Sequence, residues 1–152
     1  MAMEDAMERH LPAMADRRSV ADRRALAHLV HGLSFLSITA ASLPDAVRAA
    51  LLACVNRHAP ALRRSPADVY GVLAGLSGIG VTKHDLSEEA AACLYDAAAP
   101  LLAAPAQHHY IEKFVTAVFG ADDCAAAMRR VQKLTSDPRP RPTSSVDDDI
   151  YL

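Results

Sequence analysis

Apolar residues along this chain recur at steps of three and four, which is the spacing of one face of an α-helix. This stripe occurs three times, at Leu26, Leu29, Val30 and Leu33, at Val69, Val72, Leu73 and Leu76, and at Ile111, Phe114, Val115 and Val118. A second stripe follows each of them, at Leu43, Val47, Leu51 and Val55, at Leu86, Ala90, Leu94 and Ala97, and at Cys124, Met128 and Val131. The pattern predicts three helical hairpins.

The first two hairpins are related by an internal repeat. Positions 28–38 align without a gap on positions 71–81, and the register continues through Thr39 on Thr82 and Leu43 on Leu86. A period in the forties is typical of two-helix solenoid repeats, whose stacked units form binding surfaces. We therefore expect an all-α fold, a short α-solenoid of about three helical hairpins with a disordered or extended C-terminal tail.

The repeat also suggests how the chain is divided. Residues 1–18 are expected to form an N-terminal capping segment whose helical spacing is interrupted by Pro12, and residues 137–152 an extended Pro/Arg and acidic tail. Between them lies a helical-repeat domain over residues 19–136. Its units are expected at about 19–60, 63–104 and 107–135.

Polar residues mark the expected helix starts. Ser65 precedes Pro66 and an acid at the third position, which is the pattern of an N-cap followed by Pro in the first turn. The same reasoning predicts Ser42 and Asp85 as the N-caps of the two second helices. Gly78 and Gly80 are expected to end the first helix of unit two.

Two glycines occupy equivalent positions inside the first helices of units one and two. Gly32 and Gly75 both precede a Leu-Ser pair. Glycine in a helix interior costs roughly 1 kcal/mol relative to alanine. Its presence at both positions predicts that a neighbouring helix approaches the backbone closely at each.

Composition indicates one helical domain without a membrane span. The chain has 152 residues, of which 51% are hydrophobic, mostly Ala and Leu, and it has no Trp. This is enough for the core of one domain, and no apolar run approaches the ~18 residues of a membrane span. Cys54, Cys93 and Cys124 lie among apolar neighbours on second helices, which predicts core positions.

Arginine pairs are the main candidates for binding. The net charge is −2, whereas a dedicated nucleic-acid-binding domain is usually basic. Pairs at the starts of first helices would nevertheless stack along one edge of a solenoid, where helix N-termini favour phosphate. The candidates for phosphate contact are Arg17, Arg18, Arg23, Arg24, Arg63 and Arg64; the alternative is that these pairs only solvate an Ala-rich surface.

Catalytic and metal-binding patterns are weak. His108 and His109 are adjacent and point to different helix faces, so they make a poor chelate. We expect no enzyme activity, no cofactor and no bound metal. At the end of the tail, Ile150, Tyr151 and Leu152 follow an acidic run, as in a short docking peptide; the alternative is a frayed terminus.

A family resemblance is found in the second repeat unit and, more weakly, in the first. The residues that carry it are the segment from Ser65 to Val81, the helix from Leu86, and the less similar segment from Arg24 to Leu51. They resemble the helical-hairpin repeat proteins of organellar gene expression, the octotricopeptide, heptatricopeptide and FAST-kinase-like group. This resemblance implies an RNA-binding or scaffold role in a ribonucleoprotein of mitochondria or plastids. The HEAT and armadillo class fits the period equally and implies mainly protein binding.

Two functions remain open from the sequence. The first is a non-catalytic structural or RNA-associated subunit of a mitochondrial ribonucleoprotein, with other protein subunits and RNA as its partners. The second is a protein adaptor that holds a partner helix or peptide in its groove without RNA. An all-α apoptosis-type regulator fits less well, because that fold has no internal repeat.

Overall fold

A computed structural model describes residues 2–16, 20–104 and 108–135 of the chain, and this part is all-helical. Two 3₁₀ turns, Ala40–Ser42 and Lys83–Asp85, follow α2 and α4. The α-helices are α1 Ala2–Asp16, α2 Val20–Phe35, α3 Asp45–Leu62, α4 Pro66–Ile79, α5 Glu88–Leu102, α6 His108–Phe119 and α7 Ala121–Thr135. The predicted fold class, all-α, is confirmed.

The helices pack in two rows. Helices α2, α4 and α6 follow one another in the first row, and α1, α3, α5 and α7 in the second. Along the rows, each helix packs on the helix two positions further in the chain, and α7 also packs on α6. This is how stacked hairpins pack, so the arrangement fits the predicted solenoid.

The structure repeats with the period found in the sequence. The two 3₁₀ turns begin 43 residues apart, and α3 and α5 begin at the equivalent residues Asp45 and Glu88. Ser37 and Gly80 are also equivalent, and both have positive φ, 56° and 82°. The first hairpin therefore makes the same left-handed turn as the second, but without glycine.

The core lies between the rows and is built from the predicted stripes. Of the residues in the first-helix stripes, only Leu29 and Phe114 are half-buried, and the others are buried. In the second-helix stripes, only Met128 and Val131 are half-buried. Apolar side chains at three- and four-residue spacing thus account both for the helices and for the buried surface along which the helices pack.

Several predicted helix ends differ from those observed. Ser42 belongs to a 3₁₀ turn, and the N-cap of α3 is Pro44. Asp85 instead accepts from the backbone N–H of Thr82 at 3.0 Å, while Ser87 caps α5 by accepting from the Ala90 N–H at 3.1 Å. Because a 3₁₀ turn precedes each of them, α3 and α5 begin two residues later than predicted.

Other helix ends follow the glycine and proline pattern only in part. Ser65 is the N-cap of α4 and Pro66 its first residue, but the Ser65 side chain makes no capping hydrogen bond. Gly80 ends α4 in the left-handed conformation, whereas Gly78 lies inside the helix. Helix α1 continues through Pro12 without interruption.

Candidate functional site: an uncovered helix face at one end of the first row

Glycines on α4 let α2 approach its backbone. A Cβ added at Gly71 would lie 3.2 Å from the Ala27 Cβ. At Gly75 it would overlap the backbone of Val30 and lie 2.6 Å from the His31 nitrogen. The close approach predicted at Gly75 is therefore confirmed.

The order of these contacts gives the direction of the two helices. Gly71, Gly75 and Gly78 meet residues near 27, 30 and 34 of α2 in turn. Residue numbers rise together along both helices, so α2 and α4 are parallel. Their N-terminal ends lie at the same edge of the first row.

The equivalent face of α2 is not covered by any helix that the structure describes. The residues equivalent to the three glycines of α4 are His28, Gly32 and Phe35. His28 and Phe35 are exposed, and no atom of the described residues lies within 4 Å of a Cβ added at Gly32. The close packing predicted at Gly32 is wrong, because α2 is the first helix of its row and no described helix precedes it there.

An exposed apolar pair adjoins this face. Phe35 is 78% exposed and Leu36 is 64% exposed. Their repeat equivalents are Gly78 and Ile79, and Ile79 is fully buried. We call Ala25, His28, Gly32, Phe35 and Leu36 the α2 face; it combines small and large apolar groups around one histidine.

Aromatic rings connect this face to the rest of the first row. The His31 ring lies 4.8 Å from the Phe35 ring and 6.4 Å from the Tyr70 ring, and Tyr70 lies 5.6 Å from Phe114. The Tyr70 contacts are edge-to-face, the geometry that aromatic pairs prefer. The chain of rings crosses α2, α4 and α6, and it supports Phe35 at the edge of the α2 face.

The predicted arginine edge is only partly available for binding. Arg24 lies 3.9 Å from the carboxylate of Asp68, whose side chain is 5% exposed. Arg23 is half-buried, while Arg63 and Arg64 are exposed beside the start of α4. The structure brings the two pairs to one edge, but it engages Arg24 with an acid of the same chain. Arg17 and Arg18 lie outside the described residues.

Elsewhere in the described residues, few groups are arranged for catalysis or metal binding. Among the described residues, no group of three His, Cys, Asp or Glu side chains could hold a metal ion. A cavity of about 300 Å³ near Tyr95 contains an ion pair between Lys83 and Asp123, 2.6 Å apart, so these groups neutralise each other. Ile150, Tyr151 and Leu152 lie outside the described part of the chain.

The three cysteines lie on α3, α5 and α7. Cys54 and Cys124 are buried as predicted, and Cys93 is half-buried. No helix in the described part of the chain is long and apolar enough to cross a membrane.

Comparison with protein-family models, with curated proteins and with solved structures finds no match. The family resemblance therefore rests only on the residues that carry it.

Sequence reasoning missed the α2 face because an apolar stripe does not show which helix is first in a row. A signal was present in the alignment. Phe35 and Leu36 stand opposite Gly78 and Ile79, so the first unit places a large ring where the second needs glycine for contact. Such a substitution indicates a position without the close neighbour.

Proposed function

We propose that this chain is a non-catalytic helical-repeat module that binds a partner protein by accepting one of its α-helices on the α2 face. The observation that carries the proposal is Gly32, which is equivalent to the glycine through which α4 contacts α2. In the part of the chain that the structure describes, no atom lies within 4 Å of a Cβ added there. The repeat itself indicates the kind of occupant, because the equivalent face of α4 is covered by a helix.

The chemistry of that helix follows from the contact inside the chain. Toward Gly71, Gly75 and Gly78, α2 presents Ala27, Val30 and Ser34. A partner helix that presents small and β-branched residues at steps of three and four would fit Gly32 in the same way. Phe35 and Leu36 would then be covered by its apolar flank, and their burial would favour binding.

A ribonucleoprotein subunit that contacts RNA is the second candidate. It is supported by Arg63 and Arg64, which are exposed beside the N-terminus of α4, where free N–H groups favour phosphate. The ion pair between Arg24 and Asp68 counts against a longer phosphate edge. A mitochondrial location is proposed from the family resemblance alone.

Photo-crosslinking tests both candidates in the full chain. A benzophenone amino acid replaces Phe35, and a matched control replaces Tyr110 on α6, which is 55% exposed. We expect the Phe35 probe to yield an adduct within a helical segment of a partner protein, unchanged by nuclease and absent from the Tyr110 probe. The crosslinked segment, made as a peptide, should bind the purified chain.

Two outcomes would contradict the helix-binding proposal. Equal adducts from both probes would show that the α2 face is not selective. Disappearance of the adducts on nuclease treatment would favour RNA. In that case the double variant Arg63→Ala, Arg64→Ala should flatten the dependence of log affinity on log salt by roughly 0.7–0.9 for each phosphate that these side chains neutralise.

A further inference from the structure

Helix α1 repeats the buried stripe of the second helices. Three of its apolar residues and three of α3 have the same four-residue spacing and lie 44 residues apart: Met3, Met7 and Leu11, and Val47, Leu51 and Val55. Helix α1 also packs on α3 as α3 packs on α5, and the Cys54 thiol of α3 donates to the backbone carbonyl of Leu11 at 2.9 Å. By spacing and by packing, α1 is the second helix of a hairpin whose first helix is not among the described residues.

An open groove lies beside α1, between α1 and α2. It has a volume of about 320 Å³. Met3 and Met7 of α1 and Leu29 of α2 line it, and the lining is apolar except for His10. Ala25 belongs both to this lining and to the α2 face, so the groove and the α2 face form one continuous surface. We call it the α1–α2 surface.

The equivalent place in the next unit is filled by α2. Helix α2 packs on both α3 and α4, which are the repeat equivalents of α1 and α2. Met3 is half-buried whereas its equivalent Val47 is buried, and Leu29 is half-buried whereas its equivalent Val72 is fully buried. One helix thus makes the difference between the open groove and the closed one.

The other end of the first row has a different character. Helix α6 is the last described helix of that row, and its residues Glu112, Lys113 and Thr116 are exposed. Stacked repeats end with a polar outer face, because no further unit covers it. Helix α6 exposes polar residues of this kind, whereas the α1–α2 surface is apolar. The stack is therefore suited to continue at the α1–α2 surface.

The packing inside the chain gives the direction and the pattern of a fitting helix. Since α2 runs parallel to α4, a helix placed in the same way on the α1–α2 surface runs parallel to α2. In its own position, α2 buries Leu26, Val30 and Leu33. It turns the small residues Ala27 and Ser34 toward the glycines of α4. A fitting helix therefore has large aliphatic residues at i, i+4 and i+7, and small residues at i+1 and i+8.

We propose that the α1–α2 surface binds a partner-protein helix that runs parallel to α2, contacts α1 as well as α2, and carries this pattern. The inference rests on the proposed function and narrows it to one direction, one residue pattern and a contact with a second helix. A folded second copy of this chain does not supply the helix from its own α2, because that α2 already buries the same side chains.

The test uses the purified full chain and a synthetic, fluorescently labelled peptide of residues 20–36, which carries the α2 pattern. The control peptide carries Leu26→Ser, Val30→Ser and Leu33→Ser. Fluorescence anisotropy measures the affinity of both peptides for the chain. The control peptide should bind about tenfold more weakly or worse, because it lacks three aliphatic side chains that become buried. A Gly32→Leu chain should bind the unaltered peptide about tenfold more weakly, because the added side chain overpacks the contact.

Methionine methyl signals in NMR spectra show whether the peptide contacts α1. Met3 and Met7 line the groove, and Met128 lies on α7 and serves as the internal control. The Met3 and Met7 signals should move as the peptide is added, while the Met128 signal stays unchanged. Met3→Leu and Met7→Leu variants assign the signals.

Crosslinks from the two ends of the peptide give its direction. Ala27 of α2 meets Gly71, the repeat equivalent of residue 28, so each peptide residue should lie beside the α2 residue one position further. A benzophenone amino acid in place of Arg24 of the peptide should then attach near Ala25 of the chain. One in place of Phe35 of the peptide should attach near Leu36.

Several results would overturn the inference. Equal affinities of the two peptides would show that the pattern is not recognised, and unmoved Met3 and Met7 signals would exclude the contact with α1. Crosslinks in the reverse order would exclude the parallel direction, and crosslinks to α4 would show that the peptide had replaced α2. Met3 and Met7 signals that change when the chain alone is diluted would identify a second copy as the occupant.

Failure of this inference is distinguishable from failure of the proposed function. If the peptide does not bind but the Phe35 probe still yields a selective adduct with a helix of a partner protein, the direction and pattern are wrong and helix binding stands. If the selective Phe35 adduct is absent as well, the proposed function itself is contradicted.

Discussion

The two glycines related by the repeat should respond to alanine with opposite signs. At Gly75, an added Cβ overlaps backbone atoms of α2, which can move only if the whole helix shifts. Overpacking costs about 1–3 kcal/mol, and the gain in helix propensity returns about 1 kcal/mol. Because the overlap is with backbone, we expect Gly75→Ala to lower the free energy of unfolding by about 1–2 kcal/mol.

At Gly32 the same change meets open space. Only the propensity term remains, so Gly32→Ala should raise the free energy of unfolding by about 0.5–1 kcal/mol. The two variants should therefore differ by about 1.5–3 kcal/mol. For a chain of this length each kcal/mol corresponds to roughly 2–4 °C in Tm, which gives a separation of about 3–12 °C.

Urea unfolding followed by circular dichroism measures both variants against the wild type. The midpoints should move in opposite directions with the same slope, since neither change alters the area exposed on unfolding. Two midpoints that move together, or a Gly75→Ala chain more stable than the wild type, would refute the assignment of α4 as covered and α2 as uncovered.

Three further substitutions test local features by thermal or urea unfolding. Ser87→Ala should lower the free energy of unfolding by about 1 kcal/mol because it removes a capping hydrogen bond. Ser65 makes no such bond, so Ser65→Ala should change the free energy of unfolding by less than about 0.5 kcal/mol. Equal effects of the two variants would contradict the observed caps. Arg24→Ala should cost about 1–2 kcal/mol because it leaves a buried carboxylate without its cation, and the exposed Arg64→Ala should be close to neutral; similar values for both would show that the ion pair is unimportant. Ser37→Gly should be neutral or stabilising by up to about 1 kcal/mol because φ is 56°, and a clear decrease in stability would contradict that backbone geometry.

The sequence was sufficient for the helices and their buried faces because both depend on local spacing. Leu26, Val30 and Leu33 are buried for the same reason that Val69, Leu73 and Leu76 are, and the stripe alone predicts this. Helix starts were predicted less well. Ser42 and Asp85 satisfy the local capping pattern, but a 3₁₀ turn competes for the same side chains.

The candidate site could not be predicted from the stripe, because it depends on which helix lacks a neighbour. Gly32 and Gly75 are both followed by a Leu-Ser pair, and their positions in the row decide which of them is packed against a helix. The charge state of the predicted arginine edge also depends on contacts between repeats. Spacing predicts that Arg24 lies near the start of α2, but its partner Asp68 comes from the next repeat.

The most direct test of the helix-binding proposal is the affinity of the Gly32→Leu chain for the partner segment recovered by crosslinking at Phe35, measured by isothermal titration calorimetry. A leucine at this uncovered position should leave the fold at least as stable as the wild type. It should weaken binding about tenfold or more, since overpacking of about 1.4 kcal/mol corresponds to a factor of ten. Tyr110→Ser should leave the affinity unchanged. Wild-type affinity in the Gly32→Leu chain would contradict the proposal that a helix docks on the α2 face.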